Sequence, residues 1–221
     1  KAGAIVAAAL LHHRFEEPRY RESRQLDPIV GVSFTGLFDF FVHAFGKDWL
    51  RWFVAGRPET PEGKAFKATE VSYLKRWRIV VDKTIKEYCE KHGLRVPNRS
   101  TTVQPAGTKS LLTGASSGWH PPKGQRFIRR ITFGKNHPIA LACMDYGYNV
   151  VPSQSDKDEL GRLLDNPFDE RCTEWLVEIP TEVSWASIEG CAEIDISAIS
   201  AAAQYDFYMQ VQKHYTAHNT S

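Results

Sequence analysis

The residues whose types and spacing could do chemistry are concentrated in Thr101–Pro122, TTVQPAGTKSLLTGASSGWHPP, a run ordered as strand, tight turn, short helix and second glycine-serine turn. Thr101, Thr102 and Val103 suit a strand, and Pro105, with no N–H to donate, ends its ladder. Ala106 and Gly107 let the backbone turn closely, and Thr108, Lys109 and Ser110 stand where a helix would begin. A helix start leaves backbone N–H groups unpaired and carries the positive end of the dipole, so a small-residue turn that delivers hydroxyls and a lysine there can hold a phosphate. The plain alternative is a turn and a capped helix with Lys109 in solvent. Taken by themselves the residues favour it, because most strand-turn-helix units bind nothing. The run is not a Walker loop: Thr108 stands where that pattern needs the glycine before the lysine, and Val103 where it needs the earlier glycine.

Other clusters carry less chemistry. Lys123, Arg126, Arg129 and Arg130 could rim an anion site, but in a strand Arg126 and Arg130 share one face and Arg129 takes the other, which favours exposed alternation. His120, before two prolines, reads as a packing residue. Cys89, Cys143, Cys172 and Cys191 form no C-x-x-C pair and no His-Cys cluster at metal spacing, so neither a metal site nor a redox pair is expected; Cys89 and Cys143 read as core fillers. This usage fits a reducing, cytoplasmic setting.

The elements that must position the central run follow from length and pattern. At 221 residues, 42% of them hydrophobic, the chain is expected to form one globular domain over 1–221. A net charge of +2 gives no global attraction to nucleic acid or an anionic membrane, so any anion site must be local. No apolar run approaches the roughly 20 residues that cross a bilayer, and the alanine-rich Lys1–Leu11 is too short for a leader, so the chain reads as soluble. Ala2–Phe15 reads as an apolar helix with the look of a protein's middle, Arg14–Gln25 as a charged connection, and Pro28–Phe34 as a strand. A helix Leu37–Phe45 ends at Gly46; Lys47–Gly63 reads as an irregular loop; a long helix runs from about Lys64 to His92, its charges on the wet face. Strand followed by helix suggests a parallel sheet or barrel. Beyond the central run, His137–Asp145 reads as helix, Tyr148–Val151 as strand, and Pro152–Arg171 as loop with one helical turn at Lys157–Leu164. Glu174–Pro180 reads as a strand closed by its proline, and a final helix carrying Phe207 and Met209 as core residues is capped by Asp195 or Ser197.

The run Thr101–Phe133, TTVQPAGTKSLLTGASSGWHPPKGQRFIRRITF, resembles the substrate-phosphate loop and following barrel segment of ribonucleotide reductases, most closely the monomeric adenosylcobalamin-dependent (class II) ribonucleoside-triphosphate reductases. Asp27–Phe41, Ala140–Val150, Cys172–Pro180 and Ile194–His218 resemble other segments of that family in the same order, so the resemblance covers nearly the whole chain. It implies an α/β fold, the later part of a ten-stranded α/β barrel. It also implies the family's chemistry, in which adenosylcobalamin generates a cysteine thiyl radical and a ribonucleotide is reduced to a deoxyribonucleotide. By that resemblance Pro105, Ala106, Gly107, Thr108, Lys109 and Ser110 grip the substrate phosphates, with Ala106 where a serine is common. Ser116, Ser117 and Gly118 lie near the substrate or cofactor.

None of the four cysteines sits in a motif matching the family's thiyl or reducing cysteines, and no catalytic residue is assigned. The expectation is that these residues alone cannot reduce ribonucleotides. A complementary reductase polypeptide carrying the finger-loop cysteines would complete the enzyme, with a thioredoxin-type reductant, the chain being a split-gene piece, an intein-interrupted piece or a truncated form. The alternatives are a non-catalytic nucleotide- or phosphate-binding domain of the same fold, and a reductase with another radical source.

Overall fold

The computed structural model of the chain describes residues 1–104 and 106–218. The chain packs as two compact units, 1–123 with 183–221, and 124–182.

In the first unit, strands β1 (Ile29–Val32) and β2 (Arg99–Thr101) pair in parallel, with Ile29 opposite Arg99 and Val32 opposite Thr101. Parallel neighbours need a long crossover, and helices α3 (Leu37–Val54) and α4 (Pro61–His92) supply it. A side chain at Gly31 would meet Thr102 Cγ2 at 2.6 Å, so the chain beyond β2 comes close to β1 only because that position is glycine.

Gly46 breaks α3 as its residue type suggests (φ 70°, ψ −157°), but the helix resumes to Val54 where a loop was expected. The reason is packing: Trp49, Leu50 and Phe53 turn a buried face inward, and ring centroids of Phe38–Phe53, Phe53–Phe207 and Phe41–Phe207 stand 5.1, 5.3 and 5.9 Å apart. Such edge-to-face pairs add about 0.5–1.5 kcal/mol each beyond area burial. Helix α4 begins at Pro61, where Thr60 Oγ1 accepts from Gly63 N at 3.1 Å, and ends with Gly93 in the left-handed conformation. Its charges are not all on a wet face, because Glu70 is completely buried.

Helix α1 (Ala2–Ala9) lays Ala4, Ala7 and Ala8 against Val30, Val81, Ile85 and Cys89, small side chains permitting the close approach. The charged segment after it is a helix, α2 (Pro18–Leu26), rather than a connection: Pro18 opens it and good helix formers continue it, but no residue of it is buried, so no apolar stripe announces it. Helix α7 (Ala201–His214) is capped by Ser200, whose Oγ accepts from Ala203 N, while Asp195 caps a separate 3-10 turn at Ile196–Ala198. Ala203, Phe207 and Val211 face the core; Met209 is 44% exposed.

The second unit is an antiparallel sheet in the order β3 (Arg126–Gly134), β5 (Glu174–Glu182), β4 (Asn149–Pro152), with helix α6 (Pro138–Asp145) beside it. Its core is Ala140, Val150, Cys172, Trp175 and Val177, and Cys143 packs at the edge of that cluster. The register sets Arg126 opposite Glu182 and Arg130 opposite Glu178, and both arginines pair across the strands at 2.7 Å. They are cross-strand partners, not an anion rim. Pro180 does not close β5. Since β4 ends at the Asn149–Glu178 pair, β5 has a single neighbour at Pro180, where a residue without N–H is tolerated. The helical turn expected at Lys157–Leu164 is a Lys157–Leu163 bridge instead, closed by Asp158, whose carboxylate accepts from Leu160 N, Arg162 N and Arg162 Nε. Among the described residues no helix is long and apolar enough to cross a membrane.

Candidate functional site

Strand β2 carries the chain into the central run. Thr101 Oγ1 donates to Tyr215 O at 2.6 Å, Thr102 N to Val32 O at 3.1 Å, and Gln104 N to Ser33 Oγ at 3.0 Å, so β1 and the end of α7 hold the loop's entrance. Pro105 lies outside the described residues. Ala106 is buried in the left-handed region (φ 48°), which costs an L-residue on the order of 1 kcal/mol. That turn folds the loop over helix α5 (Lys109–Thr113): Ala106 O accepts Ser110 N at 3.0 Å, and Gly107 O accepts Ser110 Oγ at 3.0 Å.

The expected phosphate residues therefore divide by role. Ser110 is buried and its hydroxyl proton is used inside the turn, so it shapes the loop. The amides of Ala106, Gly107 and Thr108 make no hydrogen bond to any described residue, and Gly107, Thr108 and Lys109 are exposed. Lys109 Nζ donates to the neutral Gln104 Oε1 at 2.9 Å and forms no ion pair among the described residues. Three unspent amides and an ammonium without an ion pair among the described residues stand on one small loop, the donor set that an anion would need. Helix α5 has only five residues, so its dipole is a minor part of this.

The second turn is built the opposite way. Ser116 O accepts from Gly36 N and Thr35 Oγ1, each at 2.8 Å, Gly118 O accepts from Leu37 N at 3.1 Å, and Gly118 N donates to Thr35 Oγ1 at 3.3 Å. The turn thus satisfies the open first amides of α3. Asp39, buried in the first turn of α3, accepts from Ser116 N at 2.6 Å and from Trp185 Nε1 at 2.8 Å. Gly118 (φ 54°) brings the turn against the entrance, its missing Cβ 3.3 Å from Gln104 O. Ser116 Oγ is buried with no hydrogen-bond partner among the described residues. Ser117 is bonded within the protein. His120 stacks on Trp119 with centroids 4.0 Å apart, and burial pulls its pKa down, in keeping with a packing residue.

The residues the sequence reading missed are Ser33, Thr35, Asp39 and Trp185. Thr35 and Gly36 announce a helix start, but nothing local says that its amides belong to a loop some eighty positions away. The second missed group is a buried charge cluster. Arg57 donates from Nη1 and Nη2 to Glu70 at 3.0 and 2.8 Å and from Nε to Asp206 at 2.7 Å, over the rings of Trp52, Phe53 and Phe207. Trp49 Nε1 and Gln210 Nε2 also donate to Glu70. With every partner protein-internal, this cluster ties α3, α4 and α7 together.

A class II, B12-dependent ribonucleotide reductase of known structure superposes on all of this chain with a TM-score of 0.73 at 22% identity, the match covering 29% of that protein. The chain has the fold of part of a class II ribonucleotide reductase. Sequence comparison agrees. A putative adenosylcobalamin-dependent ribonucleoside-triphosphate reductase of Mycobacterium phage D29 is 28% identical over 172 residues, 75% of this chain and 21% of the relative. The adenosylcobalamin-dependent ribonucleoside-triphosphate reductase of Lactobacillus gasseri is 30% identical over 56% of this chain and 17% of the relative. A probable one of Dictyostelium discoideum is 36% identical over 36% of this chain and 11% of the relative. The chain thus spans about a fifth or less of the length of these reductases. No protein-family model matches it.

Proposed function

We propose that this chain supplies the substrate-phosphate loop of an adenosylcobalamin-dependent ribonucleoside-triphosphate reductase. The observation that carries the reading is the set of unspent amides at Ala106, Gly107 and Thr108 beside Lys109, on the fold of a class II reductase. In this reading a triphosphate replaces water on the three amides, Lys109 moves from Gln104 to a phosphoryl oxygen, and Ser110 keeps the turn rigid. Ser116–Gly118, fixed by Thr35 and Asp39, forms the wall nearest the reacting sugar. Holding the substrate fixed and excluding water are the protein's contributions to radical chemistry.

Toward adenosylcobalamin the chain offers Ser116 Oγ, an orphaned buried hydroxyl that suits a group rich in hydroxyls and amides. The cofactor, when bound, supplies the cobalt–carbon bond whose homolysis starts the radical chemistry. The thiyl and reducing cysteines must come from outside these 221 residues, in the same polypeptide or a complementary one, and a thioredoxin-type dithiol would regenerate them. Cys89, Cys172 and Cys191 are buried, and burial raises their pKa values, the reverse of an activated thiol.

Tripolyphosphate binding by calorimetry tests the loop. Thr108 has φ −77°, close to proline's own value, so Thr108→Pro deletes one amide with little backbone change. Losing one hydrogen bond to a charged ligand, about 1.5–3 kcal/mol, weakens binding about ten- to a hundredfold, whereas Thr108→Ala retains the amide and most of the affinity. Equal affinity in wild type and Thr108→Pro refutes the cradle. Deoxynucleotide formation on adding the cysteine-bearing polypeptide, adenosylcobalamin and dithiol separates a reductase part from a phosphate-binding domain without radical chemistry.

A further inference from the structure

Next to the loop lies a second feature that the phosphate reading does not use. Trp119, Tyr205 and Tyr208, with Ala201 and Gln204, line a shallow recess of about 350 Å³. Tyr205 and Tyr208 stand one helical turn apart on α7, on the side away from its buried stripe of Ala203, Phe207 and Val211. Their ring centroids are 6.1 Å apart, and Tyr208 lies 5.1 Å from Trp119. Tyr205 is 64% exposed. Three aromatic rings are thus gathered at an open surface, and the lining holds no charged side chain.

The chain places this recess beside the anion cradle. Trp119 follows Gly118, whose missing Cβ is 3.3 Å from Gln104 O, and Gln104 is the residue that holds Lys109 Nζ. Gln104 thus packs against the residue that precedes Trp119 and holds the lysine of the loop. A ligand with an anionic tail and a planar uncharged end matches this order.

We propose that Trp119, Tyr205 and Tyr208 form a stacking platform for the base of the nucleotide whose phosphates occupy the Ala106–Ser110 loop, with Gln204 at the base's polar edge. This rests on the phosphate reading and extends it to the substrate's other end. The recess is at the low end of small-molecule sites and takes one ring system, not a partner's helix or strand. Every nucleobase has a π-face, so stacking holds bases with little discrimination, and the Gln204 amide can donate or accept according to the base.

The test is calorimetric titration of the whole chain with ATP and, separately, with inorganic tripolyphosphate, in wild type, Tyr205→Ala and Tyr205→Phe. Because Tyr205 is mostly exposed, the alanine variant keeps the fold, which circular dichroism checks. Tyr205→Ala is expected to weaken ATP about five- to a hundredfold while tripolyphosphate stays within about twofold, with Tyr205→Phe restoring ATP affinity. An unchanged ratio of ATP to tripolyphosphate affinity in Tyr205→Ala overturns the platform and leaves the cradle standing. If ATP binds and responds to Tyr205→Ala while tripolyphosphate fails to bind, the cradle falls and with it a nucleotide site shared by loop and platform, leaving only the stacking of the base; if neither ligand binds, both fall.

Discussion

Asp39 is the residue on which the second turn depends, and replacing it by asparagine isolates that dependence. Its two carboxylate oxygens each accept one buried N–H, from Ser116 and from Trp185. Asparagine has one acceptor to offer and turns an NH2 group toward the other donor. The loss is one hydrogen bond to a charged acceptor, about 1.5–3 kcal/mol, plus the opposition of two donors at a buried side chain. Alanine leaves both donors unsatisfied at about 1–3 kcal/mol each. For a chain of this size each kcal/mol moves the midpoint by about 2–4 °C, so Asp39→Asn should lower Tm by about 4–12 °C and Asp39→Ala by at least as much. Thermal unfolding by circular dichroism reads the total; amide exchange reads the place. The Ser116 and Gly118 amides should lose protection before those of α4. A Tm within about 1 °C of wild type, with Ser116 exchange unchanged, would show that the carboxylate does not hold the turn.

Two further outcomes follow from buried charge. Glu70→Ala removes the acceptor for Arg57, Trp49 and Gln210 together and should cost about 3–5 kcal/mol in urea unfolding, since it leaves a buried guanidinium with Asp206 alone and unpairs two further donors; a cost under about 1 kcal/mol contradicts the described network. In the second unit, burial raises the pKa of Asp156, but bonds from Glu174 N, Thr173 Oγ1 and Thr173 N outweigh it and hold the carboxyl below its usual range. A depressed folded pKa contributes stability above the unfolded value of about 4, and that stability is lost as pH falls through the folded value. Wild type should therefore lose unfolding free energy below about pH 4 more steeply than Asp156→Asn, and parallel slopes in urea titrations at several pH values would refute the assignment.

Much of the fold is legible where the signal is local. The apolar spacing and terminal Gly93 give α4, glycine gives the break in α3, and β-branched runs give β1 and the neighbourhood of β2. What is not legible is decided by distant partners. Helix α2 has no buried face to announce it, α3 continues past Gly46 because its aromatics meet Phe207, and Pro180 stays in its strand because β4 has already ended. The site follows the same division. Ala106–Ser110 reads correctly as a turn into a helix, since its bonds are within five residues, whereas the Ser116–Gly118 turn is held by Thr35 and Asp39 across 77 positions or more, and Asp39 in turn by Trp185 across 146. Glu70 reads in sequence as one of the solvated charges of α4, and only its convergence with Arg57 and Asp206 buries it and Arg57 fully.

The two glycine-containing turns differ in which of their groups the protein itself satisfies. Ser116–Gly118 spends its carbonyls on the amides that begin α3, so those amides are closed to an anion. Ala106–Thr108 keeps its amides because Ser110 satisfies the carbonyls instead, and exposure at Gly107 and Thr108 lets water hydrate the donors. Hydrated donors at Gly107 and Thr108 carry no burial penalty, and in the proposed function a phosphate would exchange that hydration for bonds to a full charge. With a net charge of only +2, long-range steering is slight. Affinity must then come from contacts made within the cradle, which is why a single deleted amide should be felt so strongly.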